Sequence, residues 1–189
     1  MDDNIRGTYV SSDVTYRETC SPRYHDRTVI NASWADLTVA FATDFGTAGE
    51  RLTRKAAGER YLPVNLPSSA ELCHDRDTIR KAADFISRRM KGRDAFRLNV
   101  AGNGLETLLK SGISQSDADH FVASVLGEAM ALGMKVSEIR SGGQSGIDES
   151  GIKAALAYGI PAGITFPRGW LYNDAQGHPH WNKVAFMQR

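Results

Sequence analysis

The residues best suited to chemistry stand together in one block, Ser141-Gly142-Gly143-Gln144-Ser145-Gly146-Ile147-Asp148. A glycine-rich turn that leads into a helix exposes backbone N–H groups, and the helix start adds a partial positive charge. With no Cβ in the way, a ligand can approach the backbone itself. Such a turn suits an anion, phosphate above all. Ser145 is placed to cap the helix, Gln144 offers a carboxamide, and Asp148 falls in the first helical turn. An acid there is equally at home for structural reasons. The block is neither the dinucleotide fingerprint nor a Walker A loop, because the spacing differs and no Gly-Lys-Ser/Thr follows. A ligand loop over Gly142–Gly146 is a better reading than a plain turn. Asp148 stands evenly between helix-start acid and ligand contact.

A second turn, Asp44-Phe45-Gly46-Thr47-Ala48-Gly49, adds Gly46, Thr47 and Gly49 as candidate binding residues. Ala101-Gly102-Asn103-Gly104 is a third, with Asn99, Gly102 and Asn103 as weaker candidates. Thr53, one turn into the helix after Gly49, reads as structural. Glu50 and Asp148 are the candidate catalytic carboxylates. Asp44 with Glu50, or Asp148 with Glu149, would make acid pairs, but the sequence does not fix their separation, so acid/base work stays open. His178 and His180 would share one face of a strand, and without a third ligand no metal site is expected. Cys20 and Cys73 make neither a disulfide framework nor a zinc site. Ser145 lacks the elbow spacing of a serine nucleophile.

These turns need strands and helices to hold them. Leu37–Ala42 is a short apolar run of the kind found in buried parallel strands. The Asp44–Gly49 turn, a helix over 50–57, a stop at Gly58 and a strand over 61–66 follow, with Pro63 arguing for a strand end or an edge. The same order recurs as strand 136–139, turn 141–146, helix 148–158, stop at Gly159 and strand 160–164. Each copy is a βαβ unit. Between them lie an amphipathic helix over 78–90, a strand over 96–100, a short helix over 105–110, and a helix over 117–132 capped by Ser116. Asp26–Ser33 is helix-like, and Thr15–Thr19 makes a short extended piece. The pattern implies one Rossmann-like, doubly wound α/β domain over 1–189, its mostly parallel sheet covered by helices on both faces, with 1–15 and 175–189 peripheral. Parallel sheets bind ligands at the C-terminal ends of their strands, where all three turns would lie.

The chain has 189 residues, 41% apolar and 24% charged, with a net charge of +1. That is ordinary for a globular domain. The most basic stretch, Arg88, Arg89, Lys91 and Arg93, ends a helix, where cations favour the dipole. With no long basic run, nucleic acid is not an expected partner. The polar start carries Asp2 and Asp3 and lacks a signal-peptide layout, and no apolar run has the length of a membrane span. A cytoplasmic protein with no membrane partner is expected.

Ser141–Asp148, the helix to Gly159, and Ile160-Pro161-Ala162-Gly163 through Pro167-Arg168-Gly169 resemble the opening of the molybdenum-cofactor carrier proteins, with serine at 145 where threonine is usual. These belong to the Rossmann-like group that includes DprA-like and lysine-decarboxylase-like proteins. Tyr16-Arg17-Glu18-Thr19, Arg27-Thr28 with Asn31, and Ser33 with Asp36 look like the family's middle segment. Gly46–Thr53 looks like its second glycine motif, typically Gly-Gly-Thr, with Ala48, Gly49 and Glu50 in the corresponding places. Leu98–Gly102 resembles its closing strand and turn. This order suggests a circular permutant, with the helix over 117–132 joining the old termini and the new ones falling after Gly169.

The resemblance implies a homo-oligomeric carrier that binds a molybdopterin-type cofactor without turnover, with Trp170 or Tyr172 available to cover a ring. Glu50 beside a phosphate is unfavourable unless it meets a ribose or a base, so a nucleotide or nucleotide-derived signal is the rival ligand. The expected function is binding of a phosphate-bearing small molecule, a non-catalytic role being preferred. The alternative is a nucleotide-processing hydrolase that cleaves the base–ribose bond with Glu50 or Asp148, although the Pro-Gly-Gly-x-Gly-Thr motif of such relatives is absent. A binding module for protein or DNA is the third reading.

Overall fold

Apolar runs at strand spacing and helices with one apolar face can bury their surfaces only by layering, and this chain layers them around one sheet. The computed structural model describes residues 4–11, 13–92, 95–173 and 178–181. The strands are β1 (Ile5–Ser11), β2 (Val14–Thr19), β3 (Leu37–Ala42), β4 (Tyr61–Asn65), β5 (Phe96–Gly102), β6 (Val136–Ser141), β7 (Ala162–Phe166), β8 (Leu171–Asn173) and β9 (Pro179–Trp181). The helices are α1 (Tyr24–Trp34), α2 (Ala48–Ala57), α3 (Ala70–Cys73), α4 (Arg76–Met90), α5 (Leu105–Lys110), α6 (Gln115–Ala131) and α7 (Ile147–Ala157).

The seven-stranded sheet runs β1-β2-β7-β6-β5-β3-β4, with every neighbour pair parallel except β1–β2. This is the expected Rossmann-like α/β fold. β4 lies at an edge, where Pro63 costs no ladder hydrogen bond. From β3 the chain steps through α2 to β4 at one edge, and from β6 it steps through α7 to β7 on the other side. Right-handed crossovers in opposite directions put α2 and α7 on opposite faces. Accordingly α1 packs with α2, while α4, α6 and α7 pack together. The strand ends of β3, β5 and β6 border the place where the direction reverses, which is where open α/β sheets leave a crevice.

Residues 5–15 are not peripheral. They form β1 and the start of β2, part of the main sheet. β1 is a solvent-facing edge strand, so it lacks the apolar run that marks a buried strand, and Val10 is 72% exposed. β2 takes in the extended piece expected over Thr15–Thr19, and its Tyr16 ring packs against the distant Trp170, 5.8 Å between ring centroids. Trp170 and Tyr172 are buried, so neither is free to cover a ligand ring. Trp170 stacks on Phe166 at 4.7 Å, and its φ of 58° is left-handed, held by that packing. Leu171–Asn173 pairs antiparallel with Pro179–Trp181, and residues 174–177 and 182–189 lie outside the described residues.

The cap of α6 is Ser114 rather than Ser116. The Ser114 hydroxyl accepts from the Asp117 amide at 3.2 Å, and the Asp117 carboxylate accepts from the Ser114 amide at 3.0 Å. Asp119, which would complete a box with Ser116, is drawn across to Ser150 and Lys153 of α7, at 2.7 and 2.6 Å. Across the sheet, α7 comes so close to β5 that a Cβ on Gly151 would lie 2.7 Å from Val100 Cβ. Helix propensity favours alanine over glycine by about 1 kcal/mol, and overpacking a dense core costs about 1–3 kcal/mol. Crowding wins here because Val100 sits in a buried strand. Gly151→Ala should therefore lower stability by about 1–2 kcal/mol in urea unfolding, and an unchanged or raised midpoint would refute this packing.

Candidate functional site

The three turns meet at the C-terminal rim of the sheet, and Asn103 ties them together. Its carboxamide oxygen accepts from the amides of Thr43 and Asp44 at 2.9 and 3.0 Å, and its Nδ2 donates to the Asp44 carbonyl at 3.0 Å. Its own carbonyl accepts from the Ile147 amide at 3.2 Å, at the start of α7. Gly146 closes the clasp. It bridges to Gly104, and its φ is 100°. A Cβ there would lie 2.6 Å from the Asn103 carbonyl oxygen. Only glycine meets both demands.

Within the 141–148 loop, Asp148 rather than Ser145 serves the helix start. The residue preceding α7 is Gly146, with no side-chain cap, and Ser145 is buried with its carbonyl accepting from Leu105 N–H at 3.2 Å. The Asp148 carboxylate takes the backbone amides of Gly142 and Gln144. The Gly146 amide donates to the Gln115 side chain at 2.6 Å. The loop amides that a bare glycine turn would offer to an anion are thus largely turned inward. Ser141 donates to the Val100 carbonyl at 2.7 Å, and Gly143 lies against Ile164 and Phe166.

What faces the crevice is a set of side chains. A cleft of about 90 Å³ lies among Arg27 and Asn31 of α1, Gly49, Glu50 and Thr53 of α2, Asn99 and Gly102 of β5, and Gly142, Gln144 and Asp148. Arg27 donates to the Gly142 carbonyl at 2.5 Å and pairs with Asp148 at 3.3 Å, their side chains 9% and 13% exposed. The Arg27 Nε is buried and has no hydrogen-bond partner among the described residues. On the facing wall, Glu50 accepts from the Tyr61 hydroxyl at 3.1 Å. Asn31 accepts from Thr165 and Asn99 donates to Thr38, so each uses one end of its amide on a neighbour.

Of the residues singled out from the sequence, Gly49, Glu50, Gly102, Gly142, Gln144 and Asp148 line the cleft. Ser141, Gly143, Ser145, Gly146 and Asn103 build its frame. Gly46 donates its amide to the Asp44 carboxylate at 2.7 Å, and Thr47 caps α2 by accepting from the Glu50 amide at 3.2 Å. Glu50 and Asp148, from different turns, both line the cleft, and the charges of Asp148 and of Asp44 each act on Glu50. Asn99, a weaker candidate from the sequence, lines the cleft as well, whereas Arg27, Asn31 and Thr53 were not singled out as cleft residues. A signal existed for two of them, since Arg27 and Asn31 share with Ile30 the buried face of α1, where apolar residues belong. No three His, Cys, Asp or Glu come together to hold a metal among the described residues, and His180 stacks on Tyr172. No described helix is long and apolar enough to cross a membrane. Compared with known proteins, the chain matches no family model, no curated protein and no solved structure.

Burial raises both acids. Asp148 is pushed up by burial and drawn back by Arg27. Glu50 is pushed up to about 7, chiefly by burial and also by Asp148 and Asp44, while the Tyr61 hydrogen bond opposes the rise. The unfolded Glu50 carboxyl titrates near 4.5 and the folded one near 7. Between those values the native state holds a proton that the unfolded state has lost, so stability falls as pH rises through that window and is level above it. The loss is on the order of 3 kcal/mol. Glu50→Gln removes the titration and keeps an acceptor for Tyr61, so it should gain on the parent steadily from pH 4.5 to 7. Unfolding free energies that run parallel for the two proteins across that range would disprove the assignment.

Proposed function

We propose that the cleft binds a phosphate-bearing small molecule of the nucleotide type, with the phosphate beside Arg27 and the ribosyl portion against the carboxylates. The observation that carries this reading is the buried Arg27 guanidinium, whose Nε has no partner among the described residues, aimed into the space where the turns meet. The first amides of α2, at Ala48 and Gly49, supply further donors at a helix start. Glu50, Asp148 and the carboxamide of Asn99 supply acceptors for sugar hydroxyls. Glu50 titrating near neutrality resolves the conflict between an acid and a phosphate, since its protonated form adds no negative charge. The free volume of about 90 Å³ suits a phosphate-sized or sugar-sized group. Pockets for drug-sized ligands are about 300–1,000 Å³, so a whole molybdopterin-type cofactor would need the cleft to open.

The carrier-like, circularly permuted reading draws support from the connections. β2 lies beside β7 and parallel to it, where a strand following β7 would fall in the unpermuted order. The α6 crossover joins β5 to β6, as the permutation requires. Counted from β6, the strands β6, β7 and β2 take the 3-2-1 half of a doubly wound order.

A second reading is favoured by one observation. A carboxyl group that titrates near 7 can both take and give a proton at neutral pH, which suits hydrolysis of the base–ribose bond. Incubating the protein with a panel of nucleoside monophosphates tests both readings. Native mass spectrometry should find one retained per chain, and Arg27→Met should weaken retention about 10- to 100-fold. Because that change strands Asp148, the double variant Arg27→Met/Asp148→Asn keeps the test valid if the single one unfolds. Retention with no free base by chromatography identifies a carrier. Free base that Glu50→Gln abolishes identifies the hydrolase. Failure to retain or cleave any member of the panel would sink the proposal.

A further inference from the structure

We propose that the α1 face of the sheet carries a second, independent site, for a small phosphorylated anion, formed by Arg6, Arg17 and Arg140 beside Trp34. These residues border a cavity of about 530 Å³ between β1, β2, β6 and the end of α1. Trp34 lies seven residues beyond Arg27, about 10 Å further along the helix, so this cavity is separate from the cleft at the strand ends.

Two guanidinium groups share one carboxylate here, with Arg6 on the rim. Arg17 Nη2 and Arg140 Nε both reach the same Glu138 oxygen, at 3.5 and 3.3 Å. Arg97, nearby over the Trp34 ring, is already paired with Asp36 at 3.1 Å. Arg140 stacks on Trp34 with its guanidinium carbon 3.7 Å from the ring centroid, which fixes its plane. Its side chain is 9% exposed. The Arg17 Nη1 is buried with no hydrogen-bond partner among the described residues. A side chain at Gly163 would fill the bed on which the two guanidiniums lie, at 2.6 Å from Arg17 Nη1 and 2.9 Å from Arg140 Cγ.

A purely structural arginine–glutamate–arginine network would place its donors on acceptors and leave no free space. This one leaves a buried donor unmet, a third arginine on the rim and a ligand-sized volume. Burial first, and the Arg17 charge second, pull Arg140 down to about 10. Buried excess positive charge of that kind is relieved by an anion, and arginine forks match phosphate geometry. Thr8 of β1, opposite Arg17, adds a hydroxyl to the same wall.

The test follows the arginine side-chain signals of the full chain by NMR while inorganic phosphate or ribose 5-phosphate is added. Shifts at Arg17 and Arg140 are expected, with affinity about tenfold weaker in Arg17→Gln. The phosphate-dependent gain in Tm should be smaller in Arg17→Gln than in the parent, in keeping with the weaker affinity. Arg6→Gln, on the exposed edge strand, carries the test if Arg17→Gln does not fold, and it too must bind more weakly. Tighter binding of the ester identifies a phosphate ester as the ligand, and equal binding identifies free phosphate. The site is overturned if the arginine signals do not move, if affinity is unchanged in Arg6→Gln, or if only a single-stranded oligonucleotide binds.

Discussion

Everything at the rim depends on how closely two backbone segments approach at Gly146 and Asn103. The Ile147 amide reaches the Asn103 carbonyl only because Gly146 carries no side chain and takes a positive φ. That contact lays the start of α7 against the end of β5. The Asn103 carboxamide then pulls the Thr43–Asp44 backbone onto the same point. Three turns distant in the chain thereby become one surface. With the clasp in place, α1 only has to pass over it for Arg27 to reach the Gly142 carbonyl and Asp148.

The clasp also explains why the cleft is lined by side chains rather than by bare backbone. Its geometry commits the loop amides to Asp148 and Gln115. Positive character is carried instead by Arg27 and by the α2 terminus. Two acids face one buried arginine, so with both ionised the pocket carries excess negative charge. The cheapest relief is for Glu50, where burial outweighs the pull of the Arg54 charge, to keep its proton near neutrality. Ligand charge and Glu50 protonation are therefore linked. An anion favours the protonated acid, and a ligand rich in hydroxyl groups favours the ionised one.

Much of the architecture can be read along the chain because its signals are local. Strand β3 is a mostly apolar, fully buried run, α5 falls over 105–110, and the helix stops at Gly58, Gly133 and Gly159 all have positive φ, as their positions predict. Pro63 marks an edge strand. The failures are equally specific. β1 was hidden because an exposed edge strand needs no apolar face. The α6 cap moved from Ser116 to Ser114 because Asp119 answers to α7.

The sequence by itself determined the two βαβ units, the positions of the glycine turns and the presence of acids at both helix starts, because each depends on neighbours within a few residues. Tertiary structure alone decided which acids come together and which donors stay free. Glu50 and Asp148 share a cleft built from distant parts of the chain, and Arg27 reaches the 141–148 turn from a helix that its own residues mark only as polar where apolar was due. Burial and charge act through space, so the titration of Glu50 and the unmet Nε of Arg27 exist only after the layers have closed.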